Sequence, residues 1–245
     1  ALTAPQRLDY GPLALRYDAR RLDSLCFTSF GFGLSVNTWF SGSLRNLENI
    51  SGSRDSTGYW VALTPSVSRD FIMRSNWVLT VRAEGQWASE PLISNEQFGA
   101  GGVASVRGYH EGEVFGDSGW RFSIEQKTRP FLLGYVDGTE PMTVRGSVYM
   151  DYAETYLRDP QGRKDGTSLW GIGFGLVAAA GTNWEAREVL SFPLIGISTA
   201  EAARTRLGSG FTTTVLINGH RTVRLTSNPT TAHRVRESDF GLRLK

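Results

Sequence analysis

Apolar and polar residues alternate along most of the chain, and that period of two predicts strands nearly everywhere. Leu13, Leu15 and Tyr17 alternate with Ala14, Arg16 and Asp18, and Phe30, Phe32, Leu34 and Val36 with Ser29, Gly31, Gly33 and Ser35. Tyr59, Val61, Leu63 and Val67 oppose Thr64, Ser66 and Ser68. The clearest case runs from Asn76 to Trp87, where Trp77, Leu79, Val81, Ala83 and Trp87 oppose Asn76, Thr80, Arg82, Glu84 and Gln86. Further on, Trp120, Phe122 and Ile124 oppose Arg121, Ser123, Glu125 and Lys127. Met142, Val144, Val148, Met150 and Tyr152 oppose Thr143, Arg145, Ser147, Tyr149 and Asp151. Trp170, Ile172, Phe174 and Leu176 oppose Gly171, Gly173 and Gly175, and residues 184–194 and 239–245 repeat the pattern, with Glu188 out of place on an apolar side.

These strands are roughly ten residues long, the length a tilted strand needs to cross a bilayer. Trp77, Trp87, Trp120, Trp184, Tyr59 and Tyr152 fall near strand ends, as in the aromatic girdles of membrane barrels. A soluble β-sandwich also alternates, with its apolar face inward. Length, full charges of both signs on the polar faces and the want of a helical pattern to cap a sheet favour the other class: an all-β, antiparallel transmembrane β-barrel, with about ten to twelve strands visible. The expected domain is a single barrel over 1–245. Between residues 210 and 226 Asn218-Gly219 signals a hairpin, either two more barrel strands or a protrusion.

The alternation fails over 88–118, where five glycines lie between Gly99 and Gly112. Ordering such a segment costs backbone entropy, so it needs an anchor, and Arg107 at its centre is the candidate. Composition narrows the chemistry. The 245 residues carry a net charge of +2 with both signs interspersed, unlike a nucleic-acid footprint. Cys26 is the only cysteine, so no intrachain disulfide is possible. No apolar run is long enough for a membrane-spanning helix, and the first residues lack the head and core of a signal peptide. Gly99-Ala100-Gly101-Gly102 precedes neither a GK[ST] element nor a helix, which argues against a phosphate loop. His110, His220 and His233 are scattered and make no metal pair, and there is no G-x-S-x-G elbow. No catalytic residue, metal or cofactor is assigned. Glu125 and Asp151 stand on polar faces among Arg121, Lys127 and Arg145. Either they join a solvated ladder of charges, or Arg107 folds in and pairs with one or both.

At this point the residues resemble a known family. Gln86, Leu92 to Phe98, Gly101-Gly102, Ser105-Val106-Arg107-Gly108-Tyr109, Glu111, Gly116-Asp117 and Gly119 are similar to the signature of the two-partner secretion transporters, the haemolysin/haemagglutinin secretion-activation proteins. In that family V-R-G-Y marks the sixth extracellular loop, which folds back into a sixteen-stranded outer-membrane barrel. A second mark, aromatic-x-Asp-x-Gly on an inner-wall strand, is matched by Tyr149-Met150-Asp151-Tyr152-Ala153 with Ala153 in place of Gly, and Glu125 resembles the acidic position of the strand between. The resemblance implies a pore in the Gram-negative outer membrane that exports a large unfolded exoprotein, with an Arg107–Asp151 pair holding the loop in place. Its partners would be that exoprotein, outer-membrane lipid and the barrel assembly machinery. It also implies about eleven strands and periplasmic domains before the loop, whereas about five strands and no such domain are read here. The expectation is therefore the C-terminal portion of a longer chain, or a member with a smaller barrel. Half a barrel alone would leave strand edges unpaired in lipid. The rival functions are an assembly factor for outer-membrane proteins, the barrel of a fused passenger, and a passive diffusion porin.

Overall fold

The computed structural model describes residues 8–73, 75–136, 138–162, 164–181, 184–195, 210–217 and 221–227. The alternating stretches form the strands, interrupted by short loop elements. In chain order these are β1 (Asp9–Tyr10), β2 (Leu13–Asp23), β3 (Cys26–Asn37), β4 (Phe40–Ser41), α1 (Leu44–Ser51), β5 (Trp60–Ile72), β6 (Val78–Ala88), a 3₁₀ turn (Ser94–Glu96), β7 (Phe98–Ala100) and β8 (Val114–Gly116). There follow β9 (Ser118–Lys127), β10 (Phe131–Val136), β11 (Glu140–Tyr156), β12 (Gly166–Ala180), β13 (Trp184–Pro193), β14 (Gly210–Ile217) and β15 (Arg221–Ser227).

One antiparallel sheet holds all the long strands in the order β2-β3-β5-β6-β9-β11-β12-β13-β14-β15, with β10 also on β11. The chain is all-β. Strands β9 and β10 are one hairpin arm broken at Pro130, which has no N–H to give to the ladder. Across the break Thr128 stays tied to Gly146, donating to its carbonyl at 2.8 Å. The two strands expected on either side of Asn218-Gly219 join the sheet: β14 pairs with β13 and β15 with β14, the turn itself lying outside the described residues. Four long strands precede the glycine-rich loop, close to the five expected. The strand expected near the C-terminus, 239–245, lies outside the described residues. Among the described residues the sheet is open, with β2 and β15 as its edges.

Register separates the faces. Thr80, Glu125, Tyr149, Gly173 and Ser191 make one cross-strand row, and Arg82, Ser123, Asp151 and Gly171 make the next on the same face. Between them, on the opposite face, run Val81, Ile124, Met150, Ile172 and Phe192. That second face leaves Leu15, Phe32, Trp87, Val148 and Phe174 exposed, and no second sheet covers it among the described residues. A continuous apolar face of this extent is inconsistent with a water-facing sandwich and needs an apolar surrounding. Trp120, Tyr152 and Trp170 stack along it at centroid separations of 4.9 and 4.8 Å.

The two ends of the sheet differ. Short turns join β2 to β3, β5 to β6, β10 to β11 and β12 to β13, while the long connections 38–59, 89–117 and 157–165 gather at the other end. There the first two share a small core with β5 and β6, made of Leu47, Trp60, Ala62, Ala88, Leu92 and Ile93. Helix α1, which the alternation pattern did not predict, sits in this core and does not cap the sheet. It is eight residues long, capped by Ser43, whose hydroxyl accepts from the Asn46 N–H at 3.1 Å, and ended by Gly52 at φ +70°. So short a helix is stable only through its contacts, here fully buried Leu47.

Candidate functional site: a loop anchored on the polar sheet face

The connection from β6 to β9 lies over the polar face and is fixed at its root, its stem and its tip. At the root, Asp117 is buried, and its carboxylate accepts from the Leu92 N–H at 2.8 Å, the Gln97 amide at 3.1 Å and the Arg158 N–H at 2.8 Å. The Gln86 amide donates to its backbone carbonyl at 3.2 Å. One carboxylate thus clasps both ends of the loop and the next connection, 157–165. Nearby, the Ser53 hydroxyl donates to Asp159 at 2.6 Å, and this bond, with one from Gln161, holds that carboxyl below its usual range. Asp117→Ala leaves three donors without an acceptor, at about 1–3 kcal/mol for each that stays buried. The expected result is faster protease cleavage within 89–116 while the strands stay protected; an unchanged cleavage pattern would show that the clasp is dispensable.

The stem is the β7–β8 hairpin, whose Gly116 lies against β11 and whose Phe98 packs on Gly119 of β9. A Cβ on Gly116 would come within 2.7 Å of the Tyr156 nitrogen. At the tip, Gly101 and Gly102 take φ of +107° and +99°, a region that favours glycine. Ser105 closes the turn, donating from its N–H to the Gly102 carbonyl and accepting from the Gly101 N–H. Glu111 covers Gly102 and accepts from the Val103 N–H at 3.0 Å. Val106 is fully buried with Ala100, Val114, Ala153 and Leu169. Ala153 therefore contributes a methyl to the packing under the loop, at the position where the resemblance expects glycine.

These contacts deliver Arg107 to the sheet. Its Nε donates to Asp151 Oδ2 at 2.6 Å and its Nη2 to Asp151 Oδ1 at 2.7 Å, and its backbone N–H also reaches Oδ2 at 3.1 Å. The Ser123 hydroxyl donates to Oδ1 at 2.8 Å. Nη1 of Arg107 stands 3.5 Å from Glu125 Oε2, and the guanidinium carbon lies 3.3 Å from the centre of the Tyr149 ring. The Tyr149 hydroxyl in turn meets Ser191 Oγ and donates to the Leu190 carbonyl on β13. The Asp151 side chain is 0% exposed and that of Arg107 12%. A bidentate guanidinium–carboxylate pair is both strong and directional, and arginine keeps its charge when desolvated. Burying two charges gains little net stability, but removing one partner of such a pair costs about 3–5 kcal/mol.

The next two residues extend the contact. Gly108, at φ +101°, lies against the Phe192–Pro193 backbone. The Tyr109 hydroxyl sits 2.7 Å from the Ile195 carbonyl and 2.9 Å from that of Trp170, and accepts from both residues' N–H groups. Burial pushes this phenol up, and the bonds to the Ile195 and Trp170 backbones oppose the shift.

Val106, Arg107, Gly108, Tyr109, Glu125, Tyr149 and Asp151 therefore meet in one place, Gly101, Gly102, Ser105 and Glu111 shape the tip, and Asp117 fixes the root. Sequence reasoning missed Ser123, Ser191, Gly171 and Gly173. A Cβ on Gly171 would fall 2.2 Å from the Arg107 carbonyl oxygen, and one on Gly173 would meet the Tyr149 ring. The signal was present: glycine at three successive polar-face positions of β12, 171, 173 and 175, marks a close approach by another group. Among the described residues no cluster of three His, Cys, Asp or Glu could hold a metal ion. The site is a buried, bidentate guanidinium–carboxylate pair between the loop tip and the sheet.

A family model described as haemolysin secretion/activation protein ShlB/FhaC/HecB matches residues 31–178, more than half of the chain. The matched span contains the whole β6–β9 connection and Asp151. No curated protein and no solved structure gives a match.

Proposed function

The chain belongs to the haemolysin secretion/activation family, the two-partner secretion transporters of the Gram-negative outer membrane, and from that premise we propose that it exports a large unfolded exoprotein along its polar face, gated by the Arg107 latch. The family is one of transporters, not enzymes. The apolar face meets outer-membrane lipid, and the barrel is inserted by the cell's barrel assembly machinery. Residues 88–118 are the extracellular loop that folds inward, since short turns belong to the periplasmic side of such barrels and long connections to the outer side.

The observation that supports this reading best is the pairing of Arg107 with Asp151. A passive porin has no need to bury an ion pair between a loop tip and its wall, and the cost of doing so makes sense where two loop positions must be distinct. Passage of the exoprotein as an extended chain then requires the loop to leave the polar face or to share it.

The test is reconstitution of the protein in proteoliposomes with its unfolded exoprotein supplied on one side. Export gives exoprotein that becomes protected from added protease. Failure to protect it, together with restored folding of other outer-membrane barrels, would assign the chain to assembly instead. Open conductance insensitive to changes in the loop would assign it to the porins.

A further inference from the structure

On the turn side of Arg107 the polar face holds a cleft of about 440 Å³, roofed by Val103, Ala104 and Ser105 of the loop tip. We infer that this cleft binds an acidic, extended segment of the exported chain, with Arg82 and Arg145 as its receiving charges. The inference rests on the export reading and names the chemistry of the substrate that the same face would take.

The charge count around the cleft decides its preference. Six basic side chains line it against three carboxylates. Each carboxylate is already engaged. Glu84 is bound by Arg121, Glu125 lies 3.5 Å from Arg107 and 4.0 Å from Lys127, and Glu185 lies 3.5 Å from Arg187. Arg82 and Arg145 have no carboxylate within ion-pair distance among the described residues. Asp151 adds nothing outward, being fully buried and spent on Arg107. The cleft therefore presents excess positive charge in a recess with apolar walls, the condition under which a field is focused rather than dispersed.

Shape points the same way. Around Val177 the floor between Arg145 and Arg187 is built of small residues, Ser147, Gly175 and Ala179, so a chain can lie close to the sheet. Arg145 and Arg187 flank Val177 in one cross-strand row, two strand spacings or about 10 Å apart. In an extended guest, side chains two residues apart project on the same side about 7 Å from one another, within reach of two such flexible bases. Carboxylates at alternate positions can thus each find a guanidinium, whereas basic segments are repelled and neutral ones gain no charge-assisted bonds.

The experiment uses the purified chain in detergent micelles and three fluorescent peptides of about ten residues. They alternate serine with glutamate, glutamine or lysine, and binding is read by anisotropy. The glutamate peptide is expected to bind at least about tenfold more tightly than the glutamine one, with an affinity that falls as salt rises from about 50 to about 300 mM. The R82Q/R145Q double variant should lose about tenfold of that affinity while keeping its heat-modifiable mobility on gels. Arg20→Gln, on the polar side of β2 and outside the cleft, should lose none. Equal binding of the glutamine peptide, or wild-type binding by the double variant, overturns the assignment. Loss of peptide binding in the double variant, with no export by the wild type in proteoliposomes, upholds the cleft and removes the export reading. Normal export without a preference for the glutamate peptide removes the cleft alone.

Discussion

Arg107→Ala is expected to abolish export of the exoprotein while leaving the strands folded and inserted. The substitution keeps the backbone N–H bond to Asp151 but deletes both guanidinium bonds, the contact with Glu125 and the stack on Tyr149. Asp151, fully buried, is left with Ser123 and one backbone donor. Breaking a buried pair in this way costs about 3–5 kcal/mol, enough to shift the docked population of the loop by a factor on the order of 10² to 10³. The sheet pays none of it, because no strand hydrogen bond involves Arg107. Exoprotein in the medium, measured by immunoblot, should fall below detection while heat-modifiable mobility stays normal. Wild-type export would remove Arg107 from the mechanism.

Two further changes separate geometry from charge at the same place. Arg107→Lys keeps the charge but offers a point donor that cannot serve two carboxylate oxygens in a plane. Asp151→Asn keeps the shape but turns one oxygen from acceptor to donor, facing Arg107 with like polarity. If the bidentate pair is what matters, both fall close to Arg107→Ala; if charge alone matters, the lysine variant exports.

The alternation of residues made the faces legible because each side chain's direction follows from its parity along a strand, whatever the loops do. Asp151 could thus be put on the polar face of β11 from its neighbours alone, and Arg107 was singled out as the only charge at the centre of a glycine-rich segment. What parity cannot give is height and proximity. That Ser123 lies beside Asp151 follows from the β9–β11 register, and that Ser191 meets Tyr149 follows from two further pairings, none of which leaves a mark in the local sequence. Helix α1 was missed for a related reason. Its eight residues have no stable pattern of their own, and Leu47 finds its place only among residues of β5, β6 and the loop. The glycines of β12 were read only as the residues opposite an apolar row, although Gly171 records where the loop backbone passes.

That record supplies the sharpest remaining test, because it separates the loop's seat from its charge. Gly171→Val leaves Arg107, Asp151 and every ionisable group in place, and valine suits a strand better than glycine does, so the sheet should gain if anything. The new Cβ, however, would fall 2.2 Å from the Arg107 carbonyl oxygen and 3.3 Å from a Val106 methyl. The nearest of these is backbone and cannot swing aside, so the tip must lift, and lifting it stretches the bonds to Asp151 that hold it. Export should fall nearly as far as in Arg107→Ala, and the tip should become open to protease, although the latch residues are intact. Gly146→Ala is the control for adding a methyl group to the sheet: it lies on the neighbouring strand, on the face away from the loop, and its Cβ would meet only the Thr128 methyl at 3.8 Å, an ordinary contact. It should export normally. A Gly171→Val protein that also exports normally would mean that the loop does not work from its seat on β12, and that the ion pair forms or acts somewhere else in the transport cycle.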